Sequence, residues 1–215
     1  DNHELDPLDL DRYARHLALP GWGESGQQKI KEASVLVVGL GGLGSVASLY
    51  LAMSGVGRIG LVDQDLVSLS NLQRQALYAT KDIDHPKAAA AKKRLVEINP
   101  GTECQAYQRR ITKENAVDLI QDYDMVLDGT DNFSARLILN AVCFNYDKPY
   151  VYGAVSGFDG QLSLFQASQG PCLSCLFPKP PALEGETQKG HLGVLNTVPA
   201  VIGALQAAQA LKLFL

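Results

Sequence analysis

Gly39, Gly41 and Gly44 stand in the stretch SVLVVGLGGLG, spaced G-x-G-x-x-G behind a run of small apolar residues. Each glycine has a physical use. The first permits a tight turn, the second lets backbone approach a phosphate, and the third lets a helix pack closely on a strand. A strand before and a helix after would aim free helix N–H groups at an anion. Asp63 lies roughly twenty residues further on, where a carboxylate can accept hydrogen bonds from ribose hydroxyls. On these residues alone the chemistry is that of a nicotinamide dehydrogenase, and the nucleotide is not fixed.

The charges that follow favour another nucleotide. DQDLVSLSNLQRQ puts Asn71 and Arg74 just past the second strand, HPK puts Lys87 in the first turn of a helix, and DGTDNF puts Asp131 beyond the end of the fourth strand. Ligands of open α/β sheets sit at those strand ends. Arg offers phosphate a bidentate fork and Lys a point charge. Mg²⁺ takes one or two carboxylates together with water and phosphate oxygens. Two cations and a spare carboxylate therefore suit a triphosphate with Mg²⁺ better than a dinucleotide.

The elements that must hold these residues follow from hydrophobic periodicity. Short apolar runs alternate with amphipathic ones, which predicts an α/β, Rossmann-like fold: a mostly parallel sheet flanked by helices, with N-terminal helices and a long crossover loop. Strands are expected at Val35–Val38, Arg58–Asp63, Glu103–Gln108, Met125–Asp128, Tyr150–Ala154 and Gln161–Gln166. Helices are expected at Leu8–Leu19, Gly23–Lys31, Leu43–Ser54, Pro86–Ile98, Lys113–Gln121, Ser134–Tyr146 and Val198–Leu213. Pro86 suits a first helical position, and Thr112 is placed to cap the helix after it. From Pro171 to about Asn196 the chain is rich in Pro, Gly and polar residues and reads as a long mobile loop.

With 215 residues, the chain is long enough for one sizeable α/β domain. Apolar residues at 46% and charged residues at 20% belong to a water-soluble globular composition. A net charge of −4 without a run of Lys or Arg weighs against a nucleic-acid partner. No uninterrupted apolar run approaches the ~18 residues of a membrane span, and the acidic N-terminus is not that of a signal peptide. Four cysteines, of which Cys172 and Cys175 form one CxxC, are too few for a disulfide framework, and a cytoplasmic setting is expected. The chain starts at Asp1 and ends within a helical pattern, so a missing C-terminal tail is expected.

Taken in order, GLGGLGS, VDQDLVSLSNLQRQ, DIDHPK, LDGTDNF, GFDGQLSLF and CLSCLFPKPP resemble the MoeB/ThiF/HesA family, the prokaryotic adenylating relatives of ubiquitin-activating enzymes. The resemblance runs from about Leu10 onward. It implies ATP as a substrate, with Gly42 and its glycine neighbours at the α-phosphate and Asp63 at the ribose. It sets Ser70, Asn71, Leu72, Gln73 and Arg74, with Lys87, around the nucleotide, and Asp131 and Asn132 beside Mg²⁺ and the reacting atoms. Within RYARHL, Arg15 resembles the arginine that reaches into a partner subunit's site, which implies a homodimer.

The reaction implied is adenylation of the C-terminal Gly-Gly carboxylate of a ubiquitin-like sulfur-carrier protein. A free α-carboxylate has a pKa of about 3.3–3.7, so it is already ionised and needs no general base. The difficulty is bringing an anion to a polyanion, and cationic side chains, Mg²⁺ and helix N–H groups relieve it. Two features depart from the family. Cys172 and Cys175 resemble half of its structural zinc site, and no second CxxC occurs here, whereas such a site wants four ligands. No cysteine occurs between Leu176 and Leu215, where many relatives carry one, which argues against a thioester on this chain and for release to a separate sulfurtransferase. His191, in the same loop, reads as a solvent-exposed side chain.

Molybdopterin synthesis is the favoured setting and thiamin-thiazole synthesis its sister. A catalytically silent scaffold is the alternative of a different class, although the nucleotide-site residues that such a paralogue would be expected to lose are present.

Overall fold

The computed structural model describes residues 5–178 and 193–215. Two short helices open it, α1 (Pro7–Arg12) and α2 (Ala14–Leu17), followed by α3 (Gly23–Glu32). Then β1 (Ser34–Val38), α4 (Gly42–Met53), β2 (Arg58–Val62), α5 (Lys87–Ile98) and β3 (Glu103–Tyr107) alternate. After them come α6 (Ala116–Ile120), β4 (Met125–Asp128), α7 (Phe133–Asn145), the hairpin β5 (Tyr150–Ser156) and β6 (Asp159–Phe165), α8 (Leu173–Leu176) and α9 (Thr197–Phe214).

The sheet runs β3-β2-β1-β4-β5-β6, parallel throughout except that β6 is antiparallel to β5. Every residue of β1 and β4 is buried, as expected where helices cover both faces of a parallel sheet. Side chains alternate along β1. Val35 and Val37 pack beneath α3, α4, α5 and α9, while Leu36 and Val38 join Ile120, Leu139 and Tyr150 on the other face. The order reverses between β1 and β4, and this switch point opens a crevice at the carboxyl ends of the strands.

α4 ends in a Schellman turn. Gly55 takes φ +85° and donates to Ala52, and Val56 donates to Leu51. This turn brings the chain back into β2.

Three local expectations are corrected. The helix expected over Leu8–Leu19 breaks at Tyr13 (φ −101°, ψ 12°), because that side chain is buried and its hydroxyl accepts from Asn99 Nδ2 at 2.8 Å. The helix expected from Lys113 begins at Ala116. Asn115 organises that turn instead of Thr112, its Oδ1 accepting from Thr112 N at 2.9 Å and its Nδ2 donating to Arg110 O. Pro86 sits one place earlier than expected, capping α5 with ψ 127° rather than opening it.

α9 is an 18-residue helix with mean hydropathy 1.2, long and apolar enough by those measures to cross a membrane. Here it lies across α4, β5 and β6. Its Gln206 is fully buried and donates to Asp128 O and Val151 O at 2.8 and 3.0 Å, which pins one face of α9 to the sheet. The long loop expected over Pro171–Asn196 contains α8 and, at Val194, a bridge to Gly157; residues 179–192, with His191, lie outside the described residues.

Candidate functional site

The crevice across the switch point encloses about 850 Å³. Its floor is the glycine turn. Gly39 has φ +85°, and a Cβ there would lie 2.7 Å from the backbone of Gly129. A Cβ on Gly44 would overlap the carbonyl oxygen of Gly39. These two glycines are thus fixed by turn geometry and by helix-to-loop packing, and Gly44 is buried off the crevice wall. At Gly41 the nearest atom to an added Cβ is Gln75 Nε2 at 3.8 Å, which leaves the backbone open to a ligand. α4 starts at Gly42 with Gly41 as its N-cap and no side-chain cap, so first-turn N–H donors remain free for an anion.

Asp63 lines the crevice beyond β2. Its Oδ2 accepts from Leu40 N and its Oδ1 from Asp65 N, both at 2.8 Å. Burial pushes its carboxyl pKa up, and the Lys87 ammonium opposes that shift. Lys87 is itself buried at the start of α5, with Nζ 3.1 Å from the exposed Asp65 Oδ2. Arg74 is held by donation of Nη1 to Ser70 O at 3.0 Å, and its stem leans on Gly42. Asn71 also lines the crevice, and its carbonyl accepts from Arg74 N and Gln75 N.

Across the switch point, Asp131 is exposed in the loop that leaves β4. Asn132 caps α7, its Oδ1 accepting from Ala135 N at 2.9 Å, and its Nδ2 faces Asp131 Oδ1 at 3.4 Å. The loop is held from beneath. Asp128 is fully buried and accepts from Thr130 N at 2.8 Å, from Thr130 Oγ1 at 2.6 Å and from the Tyr150 hydroxyl. Burial pushes the Asp128 carboxyl pKa up, with the Arg136 guanidinium opposing it.

Ser70, Leu72 and Gln73 do not line the crevice: Leu72 leans on the core, and Ser70 and Gln73 are exposed. Arg15 is exposed on α2, also away from the crevice wall. Sequence reasoning passed over Asp65, Gln75, Arg109, Arg110, Thr130 and Arg136, all of which line it. Arg136 stands four residues after the helix cap Asn132, one turn into α7, and that spacing was a usable signal. Arg109 and Arg110 follow β3 after one residue, at a third strand end. Five cationic side chains against three carboxylates now line the crevice of a chain whose net charge is −4, so the crevice is built for an anion.

Two metal expectations meet the geometry differently. Asp131 offers one free carboxylate facing a crevice fit for phosphates, which suits Mg²⁺ held mainly by phosphate oxygens and water. Cys172 and Cys175 place their sulfurs 3.8 Å apart. Two thiolates on one tetrahedral zinc, with Zn–S of about 2.3 Å, stand at about that separation. Burial raises the Cys172 pKa, but hydrogen bonds from Cys175, Asn140 and Ser174 outweigh this and lower it below its ordinary value. Among the described residues no group of three His, Cys, Asp or Glu completes such a site.

An open sheet with a glycine turn at one strand end and an anion-seeking crevice at its switch point defines a nucleotide-binding domain of Rossmann-like build. The chain belongs to the ThiF family, whose model matches residues 13–215. It is 46% identical over 96% of its length to a sulfur carrier protein adenylyltransferase of Thermus thermophilus, and covers 78% of that protein. It is 43% identical to a probable molybdopterin-synthase adenylyltransferase of Porphyra purpurea and 43% identical to an adenylyltransferase and sulfurtransferase MOCS3 of Culex quinquefasciatus. It covers 95% and 99% of itself in those matches but spans only 54% and 48% of the two relatives. Among solved structures, E. coli MccB with ATP shares the fold at a TM-score of 0.83 and 24% identity, over 95% of this chain and 63% of that one.

Proposed function

We propose that this domain adenylates the C-terminal Gly-Gly carboxylate of a ubiquitin-like sulfur-carrier protein, with ATP as substrate and pyrophosphate as product. The observation that carries the reading is the convergence of the α4 N-terminus, Asp63, Arg74, Lys87 and Asp131 on one crevice. One carboxylate oxygen attacks the α-phosphorus. The new O–P bond forms as the bond from the α-phosphorus to the bridging oxygen breaks, and that electron pair leaves with pyrophosphate. Asp63 accepts from the ribose hydroxyls. Free N–H groups around Gly41 and Gly42 face the α-phosphate, and Asn71, Arg74 and Lys87 take the departing phosphates. Mg²⁺ held by the phosphates and Asp131 would neutralise charge that develops on them. Arg15 acts in a partner copy of the chain, which makes the working unit a homodimer.

The name of the Thermus relative supports a sulfur carrier as partner, and that of the Porphyra relative supports molybdopterin synthesis over thiamin-thiazole synthesis as the setting. A separate sulfurtransferase would take up the acyl-adenylate, in the cytoplasm. Cys172 and Cys175 would supply two corners of a structural zinc site. The test is ATP–pyrophosphate exchange with a panel of small carriers ending in Gly-Gly. Exchange dependent on one carrier establishes the reaction and its pathway together. ATP binding without exchange on any carrier points to another acyl substrate, and absence of ATP binding points to a silent scaffold.

A further inference from the structure

The crevice has two unlike halves. Toward β1 and β2 it is walled by the glycine turn, Asp63 and Lys87, and toward β4 and β5 by Thr130, Asp131, Arg136 and Ser156. The nucleotide reading leaves Arg136 without a task. This arginine is only 8% exposed, yet it reaches the crevice wall.

Its guanidinium is fixed in place. Nη2 donates to Thr130 O at 2.9 Å, and the central carbon lies 5.5 Å from the Phe133 ring and 5.3 Å from the Tyr152 ring. That bond to Thr130 is its one hydrogen bond among the described residues, and its Nε is buried without a partner. Asp128 does not use up the donors: its Oδ2 lies 3.9 Å from Nε and its oxygens already accept from Thr130 and Tyr150. A guanidinium carries five N–H donors, and a buried one is costly until anionic acceptors meet it. A planar, preset, under-used fork at a crevice wall fits a planar carboxylate.

The rest of this half, beyond Arg136, is lined by small or uncharged residues. They are Val155, Ser156, Gly193 and Val194, with Gly157 N donating to Gly193 O at 3.1 Å to hold the two segments together. In the adenylation reading Asn71, Arg74 and Lys87 take the phosphates on the opposite half, and Asp131 is shared between the two. We propose that Arg136 binds the terminal carboxylate of the acyl substrate on the β4–β5 side of the crevice, and so sets the requirement for a free C-terminal carboxylate. The inference rests on the adenylation reading and adds to it the residue that meets the attacking group.

The experiment compares the wild type with Arg136→Lys, which keeps the charge and loses the fork, using the panel carrier that supports exchange. ATP affinity is measured by calorimetry, and carrier KM and kcat by ATP–pyrophosphate exchange. We expect ATP affinity within about threefold of wild type and a carrier KM raised at least about tenfold, the loss of a charge-assisted hydrogen bond. The double variant Asp128→Asn with Arg136→Met removes both buried charges together and so avoids stranding one of them. It should raise carrier KM further while ATP still binds. Unchanged carrier KM in variants that bind ATP would overturn the assignment alone. So would ATP affinity falling in step with carrier KM, since that moves Arg136 to the nucleotide half. Absence of exchange in the wild type with every carrier would overturn the sulfur-carrier reading, and this assignment with it.

Discussion

Lys87 Nζ sits 3.1 Å from Asp65 Oδ2 in an unequal pair, the lysine side chain 7% exposed and the aspartate 57%. The ammonium faces inward to the crevice, and its partner can swing into solvent. The pair therefore holds a buried cation ready for an incoming phosphate, and the phosphate can displace or share it. Asp65→Ala should strand Lys87 and lower stability by about 1–3 kcal/mol, less than for a fully buried pair because one side is wet. Added ATP should return most of that loss, since phosphate replaces the missing anion. Thermal unfolding with and without ATP checks this. A variant as stable as wild type without nucleotide would mean that the pair does not hold the lysine.

The glycines should separate by substitution. Gly39→Ala meets the backbone of Gly129 and must also adopt φ +85°, and Gly44→Ala meets the Gly39 carbonyl. Both should fold poorly or not at all, because backbone atoms cannot step aside as a flexible side chain can. Gly41→Ala has no atom nearer than 3.8 Å and should keep its stability within about 1 kcal/mol. It should nonetheless lose at least about tenfold in ATP affinity, because its methyl stands where phosphate approaches backbone. Circular dichroism with nucleotide calorimetry distinguishes these outcomes, and tight ATP binding by Gly41→Ala would move the phosphates elsewhere.

That contrast also marks what was legible in the chain. The G-x-G-x-x-G spacing marked the strand, turn and helix at residues 34–53, while the order of the sheet came only with the fold. The spacing could not assign one use to each glycine, because Gly44 acts through the Gly39 carbonyl and Gly41 through open space, and both look alike in sequence. Of the residues SNLQRQ suggested, Asn71 and Arg74 line the crevice, whereas Ser70, Leu72 and Gln73, in the short 3₁₀ turn at Leu69–Asn71 and the turn after it, do not. Arg109 and Arg110 stand in no motif that the sequence marks, and only its spacing from the cap Asn132 could single out Arg136. Their place depends on where the end of β3 and the first turn of α7 meet the crevice, and that is a tertiary fact. Asn115 outdid Thr112 as organiser of its turn for a similar reason, since its amide bridges Thr112 and Arg110 at once.

Removal of Asp131 or Arg74 should stop the chemistry and spare the fold. Asp131 is exposed, and among the described residues its carboxylate accepts a side-chain hydrogen bond from Asn132 alone while the Arg74 side chain donates only to Ser70 O. Asp131→Ala and Arg74→Ala should each lower exchange by about 10²–10³-fold, the usual loss for one charge-stabilising group, with melting temperatures close to wild type. Near-normal turnover in either variant would place the reacting phosphates elsewhere.

Asp63 makes the site sensitive to pH with a definite sign. Burial raises its pKa above the ordinary 3.8 in the folded chain, so the folded state holds its proton to higher pH than the unfolded one does. Stability from this group is then greatest below pH 3.8 and falls as pH rises through the folded pKa, after which it levels off. Nucleotide affinity should move the other way, since the ionised carboxylate is the better acceptor for ribose hydroxyls and forms over that same interval. Asp63→Asn keeps an oxygen for Leu40 N but has no proton to release. Its stability relative to wild type should therefore improve as pH rises from below 3.8 toward neutrality, and its ATP affinity should lose the acid-side decline. Urea unfolding and ATP titration at a series of pH values check both slopes. Parallel profiles for the two proteins would mean that Asp63 does not carry this proton.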